Sequence, residues 1–410
     1  MFIRVVSILA LCLPVAAATS PRVIVNASAS GPARYLVALD DGVDDVSGVA
    51  ESLMQKHHGR LEHRFVRAMH GFTAEMAASD AAALLTEHGV KYVEHDSMGG
   101  GGSVGEPVAL DVQKSPVWGL DRIDQRDLPL NQTYVYNQTG LGVTAYVLDS
   151  GINAAHADFG GRVRSGYNFS TTLPAADCNG HGTHVAGILG GSQHGVAKDV
   201  SLVPLRVLDC QNRGLVSDMV KGIDWAITDH QSGQPAVMNI SIYTDAPSPT
   251  FDAAINAAIA DGITVCVIAG NGTANNSVAT DACTISPARV SNAITVSATT
   301  IVDRRASFAN FGPCVDLFAP GELIESDWYS SNTAIAIDSG TSMAAPHVSG
   351  AAALYLEGHP DALPSTVAAA LIAAASVNKV QDAGSSSPNR LLFTVDVEPP
   401  QPRRRAVKSP

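Results

Sequence analysis

The stretch Ser339-Gly340-Thr341-Ser342-Met343-Ala344-Ala345-Pro346-His347 decides the fold of this chain. A small polar turn leads directly into an alanine-rich pattern that predicts a helix to about Glu357. Pro346 would fall in the first turn, where a missing N–H costs little. Ser342 would then lie at or just before a helix N-terminus, where backbone N–H groups favour negative charge. Such a serine is either an ordinary N-cap or a nucleophile whose oxyanion is stabilised there.

Two further stretches favour the nucleophile. Tyr146-Val147-Leu148-Asp149-Ser150-Gly151-Ile152 ends an apolar strand pattern in an aspartate and a glycine turn. Asn179-Gly180-His181-Gly182-Thr183-His184-Val185-Ala186-Gly187 is a glycine-rich turn that leads into a small-residue helix. A serine hydroxyl needs an adjacent base, and that base needs a third group to orient it. Asp149, His181 and Ser342 have the residue types for these three roles.

The chain order Asp, His, Ser is that of subtilisin, and it differs from the orders of chymotrypsin and of α/β-hydrolases. On these motifs the chain resembles a secreted subtilase of the proteinase K branch, closest to aqualysin-like members. The resemblance covers roughly residues 117–397, and a weaker one covers the upstream segment as an inhibitor-type propeptide. It implies a serine endopeptidase that hydrolyses peptide bonds in proteins through an acyl-enzyme and is made as a self-processing zymogen.

Four segments are expected along the chain. Residues 1–18 have a basic start, an apolar centre and Ala16-Ala17-Ala18, which predicts a signal peptide; a membrane anchor is the alternative, but the apolar run is too short. Residues 19–110 would be the propeptide with a glycine-rich linker at Met98 to Gly105, and a cut is expected near Leu110-Asp111. Residues 111–397 would be the catalytic domain, and residues 398–410 a Pro/Arg-rich tail.

Composition restricts the partners. The chain has 410 residues, a net charge of −13 and only 16% charged residues, and its one basic cluster is Arg403-Arg404-Arg405 in the tail. No basic stripe is present to neutralise phosphates, which excludes nucleic acid as a partner. We expect a secreted, extracellular monomer without membrane contact, whose partners are protein or peptide substrates and its own propeptide.

The pattern of elements predicts an α/β fold. Residues 34–96 alternate strands and helices as a small α+β unit, which resembles the propeptide of subtilases; a permanent accessory domain is the alternative. From Trp118 onwards, alternating strands and helices predict a mainly parallel, subtilisin-like sheet with helices on both faces. Ligands bind such sheets outside the carboxyl ends of the strands. The strands are expected at Val143–Leu148, Ser201–Leu208, Ala236–Ile242, Ile263–Ala269 and Ile294–Ala298.

The resemblance also assigns Asn271, in Ala269-Gly270-Asn271-Gly272, as a donor to the oxyanion beside the backbone N–H of Ser342. A plain turn residue is the alternative, and Asn271 also starts a glycosylation sequon. His184 and His347 are expected to be structural. Two disulfides follow from the resemblance, since spacing alone leaves the connectivity open. They pair Cys178 with Cys210 and Cys283 with Cys314, which leaves Cys266 as a buried thiol.

Structural calcium is implied in the same way, and no catalytic cofactor is expected. Asp121, Asp124 and Gln125 resemble one calcium site of the aqualysin-like group, and Asp316 matches the carboxylate of another. Oxygen ligands of this kind suit calcium. The alternative is that these acids are solvated or paired in salt bridges.

The substrate groove departs from the family pattern. The peptide is expected to bind as an added strand beside Arg213-Gly214-Leu215. Relatives carry Ser-Leu-Gly-Gly on the wall of the specificity pocket, where this chain has Ser241-Ile242-Tyr243-Thr244. Tyr243 would either fill the pocket, so that small residues are preferred before the scissile bond, or turn away from it.

Two other functions remain to be compared with a protease. A binding protein with inactive chemistry would need at least one of the four catalytic positions to be lost, and all four are present. An esterase would be expected to have a nucleophile elbow, whose final glycine is replaced here by Ala344.

Overall fold

The computed structural model describes residues 32–96, 115–136, 138–170, 176–244, 246–272 and 278–394, and the backbone of 24–25 and 98–101. The expected signal peptide, the cut near Leu110-Asp111 and the C-terminal tail lie outside these residues. Among the described helices, none has both the length and the apolar character needed to cross a membrane.

The N-terminal domain is a five-stranded sheet covered by two helices. Its elements are β1 (Ile24–Val25), β2 (Ala33–Leu39), α1 (Val46–Lys56), β3 (Arg60–Phe65), β4 (Gly71–Met76), α2 (Ala78–Leu84) and β5 (Val90–His95). The strand order is β1-β5-β2-β4-β3. Side chains alternate along β2, so that Tyr35 and Val37 pack into the core of this domain, whereas Leu36 packs against the larger domain.

The rest of the described chain forms a larger domain. The short strand β6 (Met98–Gly101) lies between the two domains in the sequence and is given with the larger one. Its elements are β6 (Met98–Gly101), α3 (Trp118–Ile123), β7 (Thr144–Asp149), β8 (Tyr167–Asn168), α4 (His181–Gly190), β9 (Ser201–Arg206), β10 (Arg213–Leu215), α5 (Val216–Asp229), β11 (Ala236–Ile240), β12 (Ile242–Thr244), α6 (Pro249–Ala260), β13 (Thr264–Ile268), β14 (Ile294–Thr299), β15 (Leu317–Pro320), β16 (Ile324–Asp327), β17 (Ile335–Asp338), α7 (Thr341–Gly358), α8 (Pro364–Ala374), β18 (Ser376–Val377) and β19 (Arg390–Leu391).

Nine of these strands form the central sheet, in the order β18-β19-β15-β14-β13-β11-β7-β9-β8. Every pair is parallel except β18 with β19. On β7, Ala145 and Val147 pack into one apolar core with α4 and α7, whereas Tyr146 and Leu148 pack into another with α5 and α6. A mainly parallel sheet with helices on both faces, preceded by a small α+β domain, confirms the expected fold class.

One expected strand is divided in two. Residues Ala236–Ile242 were predicted to form a single strand, but β11 ends at Ile240 and β12 begins at Ile242 in a different, three-stranded sheet. Ser241 lies at the break, and both its hydroxyl and its carbonyl make contacts with Ser342. These contacts bring the loop between the two strands to the start of α7.

Candidate active site

Asp149 and His181 form a buried pair at the carboxyl edge of the sheet. Asp149 is the last residue of β7, and His181 is the first residue of α4. His181 Nδ1 lies 2.8 Å from Asp149 Oδ1, and both side chains are almost fully buried. Burial lowers the pKa of His181, but the negative charge and hydrogen bond of Asp149 outweigh this, so the pKa lies above its ordinary value.

The turn before α4 is held by Asp177, a residue to which the sequence analysis gave no role. Asp177 Oδ1 accepts the backbone N–H groups of Asn179 and Gly180, each at 2.9 Å. Its Oδ2 accepts the N–H of Thr183 at 3.0 Å and the hydroxyl of Thr183 at 2.6 Å. These bonds satisfy N–H groups at the helix start, as a capping side chain does. The sequence signal was an aspartate four residues before His181.

Ser342 is the second residue of α7, whose N-cap is Gly340. Pro346 therefore lies in the second turn of this helix and not in the first, as the sequence had suggested. A residue at position 346 would normally donate its N–H to the carbonyl of Ser342, but proline has no N–H. The hydroxyl of Ser241 donates to that carbonyl instead, at 2.9 Å. The hydroxyl of Ser342 in turn lies 3.3 Å from the carbonyl oxygen of Ser241.

Asn271 follows the end of β13 and contacts the residue before Ser342. Its Oδ1 accepts both the N–H and the hydroxyl of Thr341, each at 2.9 Å. The orientation of its donor group, Nδ2, is therefore fixed by Thr341. Asn310, which the sequence analysis missed, holds the loop: its Nδ2 donates to the carbonyls of Ala269 and Gly272 at 3.0 and 3.1 Å. No local motif marks Asn310, because its partners are distant in the chain.

A strand of the N-terminal segment lies in the groove beside these residues. Met98–Gly101, part of the segment interpreted as a flexible linker, forms β6 between β10 and β12 and is antiparallel to both. Gly99 pairs with Gly214, and Met98 pairs with Leu215. On the other side Gly101 pairs with Ile242 and Gly100 pairs with Tyr243. The residues expected to bind substrate therefore lie on β10 and β12, the two strands that flank β6, except for Ser241, which directly precedes β12.

Two buried carboxylates of the N-terminal domain cap helices of the larger domain. Glu94 accepts the hydroxyl of Ser248, the N-cap of α6, at 2.7 Å and the N–H of Thr250 at 3.3 Å. Asp96 accepts the N–H of Ser217, in the first turn of α5, at 2.8 Å and also contacts its hydroxyl. Burial raises the pKa of Glu94 to about 7 and that of Asp96 to about 6, although these hydrogen bonds oppose the rise.

The acids expected to bind calcium lie away from this site. Asp121 accepts the N–H groups of Asn131 and Gln132, and Asp124 Oδ2 accepts the N–H of Val135 at 2.6 Å. Asp124 Oδ1 and Gln125 Oε1 are buried and have no hydrogen-bond partner in the described part of the chain. Asp316 lies elsewhere, where its Oδ2 accepts the N–H of Thr295 at 2.8 Å.

The disulfides have the pairing implied by the resemblance, Cys178 with Cys210 and Cys283 with Cys314. Cys266 is a buried thiol, and burial raises its pKa to about 12. His184 and His347 are fully buried, which lowers the pKa of His184 to about 3 and that of His347 to about 4. Both are therefore neutral near neutral pH.

Comparison with known proteins identifies the family. Residues 140–392 match the model of the Subtilase family, and residues 34–98 match Peptidase inhibitor I9. The extracellular serine proteinase of Thermus sp. (strain Rt41A) is 47% identical over 87% of this chain and 84% of its own length. Alkaline serine exoprotease A of Vibrio alginolyticus is 45% identical over 82% of this chain and 60% of its own length.

Solved structures agree with the sequence relatives. A cold-adapted subtilisin-like serine proteinase is 47% identical, with a TM-score of 0.65 over 69% of this chain and 99% of its own. Fervidolysin from Fervidobacterium pennivorans, at 20% identity, shares the fold with a TM-score of 0.71 over 93% of this chain and 63% of its own. These matches show that the chain is a serine proteinase that belongs to the subtilase family and carries an inhibitor I9 propeptide domain.

Proposed function

We propose that this chain is a secreted serine endopeptidase, made as a self-processing zymogen, in which Asp149, His181 and Ser342 form the catalytic triad. The observation that carries the proposal is the buried bond between His181 Nδ1 and Asp149 Oδ1. This bond leaves Nε2 as the ring nitrogen for proton transfer, and Nε2 has no hydrogen-bond partner among the described residues. The packing of α4 against α7 supports a shared site for His181 and Ser342.

The reaction follows from these roles. Ser342 Oγ attacks the carbonyl carbon of the scissile peptide bond while His181 Nε2 takes its proton. Asp149 stabilises the imidazolium and fixes the tautomer. The imidazolium then gives the proton to the leaving amine as the C–N bond breaks, which leaves an acyl-enzyme on Ser342. Water, activated by the same imidazole, hydrolyses this ester.

Charge that develops on the carbonyl oxygen needs fixed donors. The backbone N–H of Ser342, at the start of α7, and Nδ2 of Asn271 would supply them. The two bonds from Thr341 to Asn271 Oδ1 support this role, because they hold the amide in one orientation before substrate arrives.

The position of β6 supports the proposal that the chain is made as a zymogen. A peptide that adds to β10 and β12 would occupy the place of β6, so the uncut N-terminal segment blocks the groove by β-augmentation. Gly214, Leu215, Ser241, Ile242 and Tyr243 would then bind substrate after the propeptide leaves. The two disulfides support an extracellular location, as does the name of the Thermus relative.

A structural calcium ion fits the segment around Asp124. Two buried oxygens there, Asp124 Oδ1 and Gln125 Oε1, lack hydrogen-bond partners among the described residues, and oxygen is the ligand that calcium prefers. Asp121, Asp124 and Gln125 would hold this ion and connect α3 to the loop after it. Asp316 would contribute to a second ion. Neither ion would take part in the reaction.

The decisive experiment is digestion of casein with and without a serine-directed covalent inhibitor, followed by mass spectrometry of the labelled residue. We expect the inhibitor to label Ser342 and to abolish digestion, and we expect Ser342→Ala to remain uncut between its domains when other proteases are absent. Hydrolysis of a simple ester but not of a blocked peptide amide would indicate an esterase. No turnover of either would indicate a binding protein.

A further inference from the structure

A second group of buried ionisable side chains lies outside the active site. Asp158, His194 and Asp327 are buried, and one ligand atom from each lies within 4.8 Å of the other two. They come from three separate elements, namely the short 3-10 helix Ala157–Phe159, the loop after α4 and strand β16. Among the residues that the structure describes, no other group of His, Cys, Asp and Glu side chains converges in this way.

The contacts within this group are difficult to explain by hydrogen bonds alone. His194 Nδ1 lies 3.1 Å from Asp158 Oδ2 and 2.9 Å from Asp327 Oδ1, but it can carry only one proton. Asp327 is fully buried, and its Oδ2 has no hydrogen-bond partner in the described part of the chain. An unpaired carboxylate oxygen in the interior is costly.

A second histidine, His156, lies beside the group and orients it. His156 Nε2 donates to the carbonyl oxygen of Ala334 at 2.9 Å. Its Nδ1 accepts the backbone N–H of Asp158 at 3.3 Å, and it also lies 3.5 Å from Asp327 Oδ1. His156 therefore fixes the backbone that carries Asp158 and does not itself offer a free lone pair to an ion. A metal-bound histidine commonly donates its second nitrogen to a carbonyl or carboxylate. His194 has such a carboxylate, since Glu325 Oε1 lies 3.8 Å from His194 Nε2.

We propose that Asp158, His194 and Asp327 bind a divalent transition-metal ion, for which zinc is the best fit. One imidazole nitrogen and two carboxylates, with water in the fourth position, match the ligands and the four-coordinate geometry of zinc, whereas calcium takes oxygen ligands. The two aspartates would neutralise the ion. The ion would connect the 3-10 helix Ala157–Phe159, the loop after α4 and β16, so we assign it a structural role. A cavity of about 340 Å³, lined by His194, Glu325 and Lys198 among others, gives it an entry path.

The alternative is a metal-free ion cluster in which His194 is an imidazolium between the carboxylates. In that state burial lowers the pKa of His194, but its hydrogen bonds with Asp158, Asp327 and Glu325 outweigh burial and raise the pKa to about 11. The two states differ in one measurable respect, because only the first takes up zinc in place of a proton.

The test uses the full chain with Ser342→Ala, which the proposed function expects to remain uncut. After chelator treatment, zinc alone is added and bound metal is measured by equilibrium dialysis and elemental analysis. We expect one zinc per chain that a hundredfold excess of calcium does not displace, and a higher melting temperature with zinc. Cobalt(II) in place of zinc should give the strong visible absorption of a tetrahedral site. This measurement needs no variant of the cluster, so it decides the question even if the cluster variants fold poorly.

Variants locate the ion. His194→Asn and Asp327→Asn should each lower zinc affinity at least tenfold and abolish the cobalt spectrum. His230→Asn is the matched control, because His230 Nδ1 also contacts an aspartate, Asp261, at 2.7 Å, but no second carboxylate. It should bind zinc as the wild type does. The absence of bound zinc, a weak octahedral cobalt spectrum, or equal binding by all variants would overturn the proposal in favour of the metal-free cluster.

Discussion

The hydroxyl group of Ser241 contacts the carbonyl of Ser342, and the hydroxyl group of Ser342 contacts the carbonyl of Ser241. Ser241 Oγ donates to the Ser342 carbonyl at 2.9 Å, and Ser342 Oγ lies 3.3 Å from the Ser241 carbonyl oxygen. Asn239 Nδ2 donates to Ser241 Oγ at 2.9 Å and orients that hydroxyl. The proposed nucleophile is therefore held by Ser241, at the break between β11 and β12. The break between β11 and β12 and the proline in α7 both contribute to this arrangement.

The first prediction concerns this pair. Ser241→Ala leaves the Ser342 carbonyl without its donor, which should cost about 1–3 kcal/mol and lower kcat. Ser326→Ala is a matched control, because it removes a buried hydroxyl that donates to a carbonyl of α4 at 2.8 Å, away from Ser342. We expect both variants to lose melting temperature and only Ser241→Ala to lose kcat on a peptide amide. An equal kcat in both variants would show that the Ser241 contact contributes to stability and not to catalysis.

The second prediction concerns the pH dependence of the reaction. The proposed base must be neutral, and Asp149 holds the pKa of His181 above its ordinary value of 6.5. Activity should therefore rise with pH through a midpoint above that value. In Asp149→Asn the burial of His181 is opposed only by the smaller effects of Asp338 and Asp177, so the midpoint should move lower while kcat falls about 10³–10⁴-fold. The measurement is kcat against pH for both proteins. A midpoint that does not move would argue against Asp149 as the partner.

The third prediction concerns the propeptide. Glu94 and Asp96 have pKa values raised by burial to about 7 and about 6 in the complex, so the complex binds protons more tightly than the separated domains. This contribution to binding is present at low pH and is lost as pH rises through 6 and 7. The positive charge of Arg34, 3.7 Å from Asp96, opposes part of the rise in the pKa of Asp96. In the Ser342→Ala zymogen, the propeptide domain should resist added protease better at pH 5.5 than at pH 8.

Glu94→Gln and Asp96→Asn together should remove most of this difference between the two pH values. Glu62→Gln is a suitable control, because Glu62 pairs with Arg34 within the propeptide and does not cap a helix of the catalytic domain. Protection that increases with pH in the parent zymogen would mean that the ionised carboxylates, and not the protonated ones, hold the two domains together.

The sequence predicted elements whose signal is local and missed contacts that join distant residues. The alanine-rich run after Ser342 predicted α7, and the apolar run before Asp149 predicted β7. Both predictions were possible because each pattern extends along the whole of its own element. The pairing of β6 could not be read in this way, since Gly99 meets Gly214 through backbone atoms that every residue has. A row of glycines looks the same in a flexible linker and in a narrow groove.

The supporting residues were missed for a related reason. Asp177 and Asn310 hold the loops that carry His181 and Asn271, but polar residues in loops are common, and only their partners distinguish them. Pro346 was assigned to the wrong turn because helix starts are uncertain by a residue or two without the capping geometry. Once Gly340 is known as the N-cap, the donor from Ser241 explains how a proline is tolerated in the second turn.

The fourth prediction concerns calcium. An ion that binds only the native state stabilises it by mass action, by about 2.7 kcal/mol at a hundredfold excess over Kd. After chelation, calcium alone should raise the melting temperature of the wild type and leave kcat almost unchanged. Asp124→Asn should reduce this rise, whereas Asp127→Asn, which removes a surface pair with Lys379, should not. A melting temperature that does not respond to calcium would exclude both the Asp124 and the Asp316 sites.

The last prediction concerns substrate choice and rests on the direction of one side chain. Along β12, Ile242 packs into the core with α5 and α6, so the alternation of a strand sends Tyr243 to the opposite side. There the half-buried Tyr243 packs against an apolar cluster that includes Ala269, at the start of the Asn271 loop, and Ile285. This contact favours a ring that packs beside Ala269 and fills the pocket over one that turns away to solvent.

We therefore expect the wild type to prefer small residues before the scissile bond, and Tyr243→Gly to shift the preference towards Phe by roughly ten- to a hundredfold. That factor corresponds to about 1.5–3 kcal/mol for burying one large apolar side chain. Tyr243→Ala tests the same space without the added backbone freedom of glycine, and Tyr167→Ala, at a tyrosine that is 53% exposed, is the control. The measurement is kcat/KM on peptide amides varied at that residue. A wild type that already favours Phe, with no change in Tyr243→Gly, would mean that β12 leaves the pocket open despite its tyrosine.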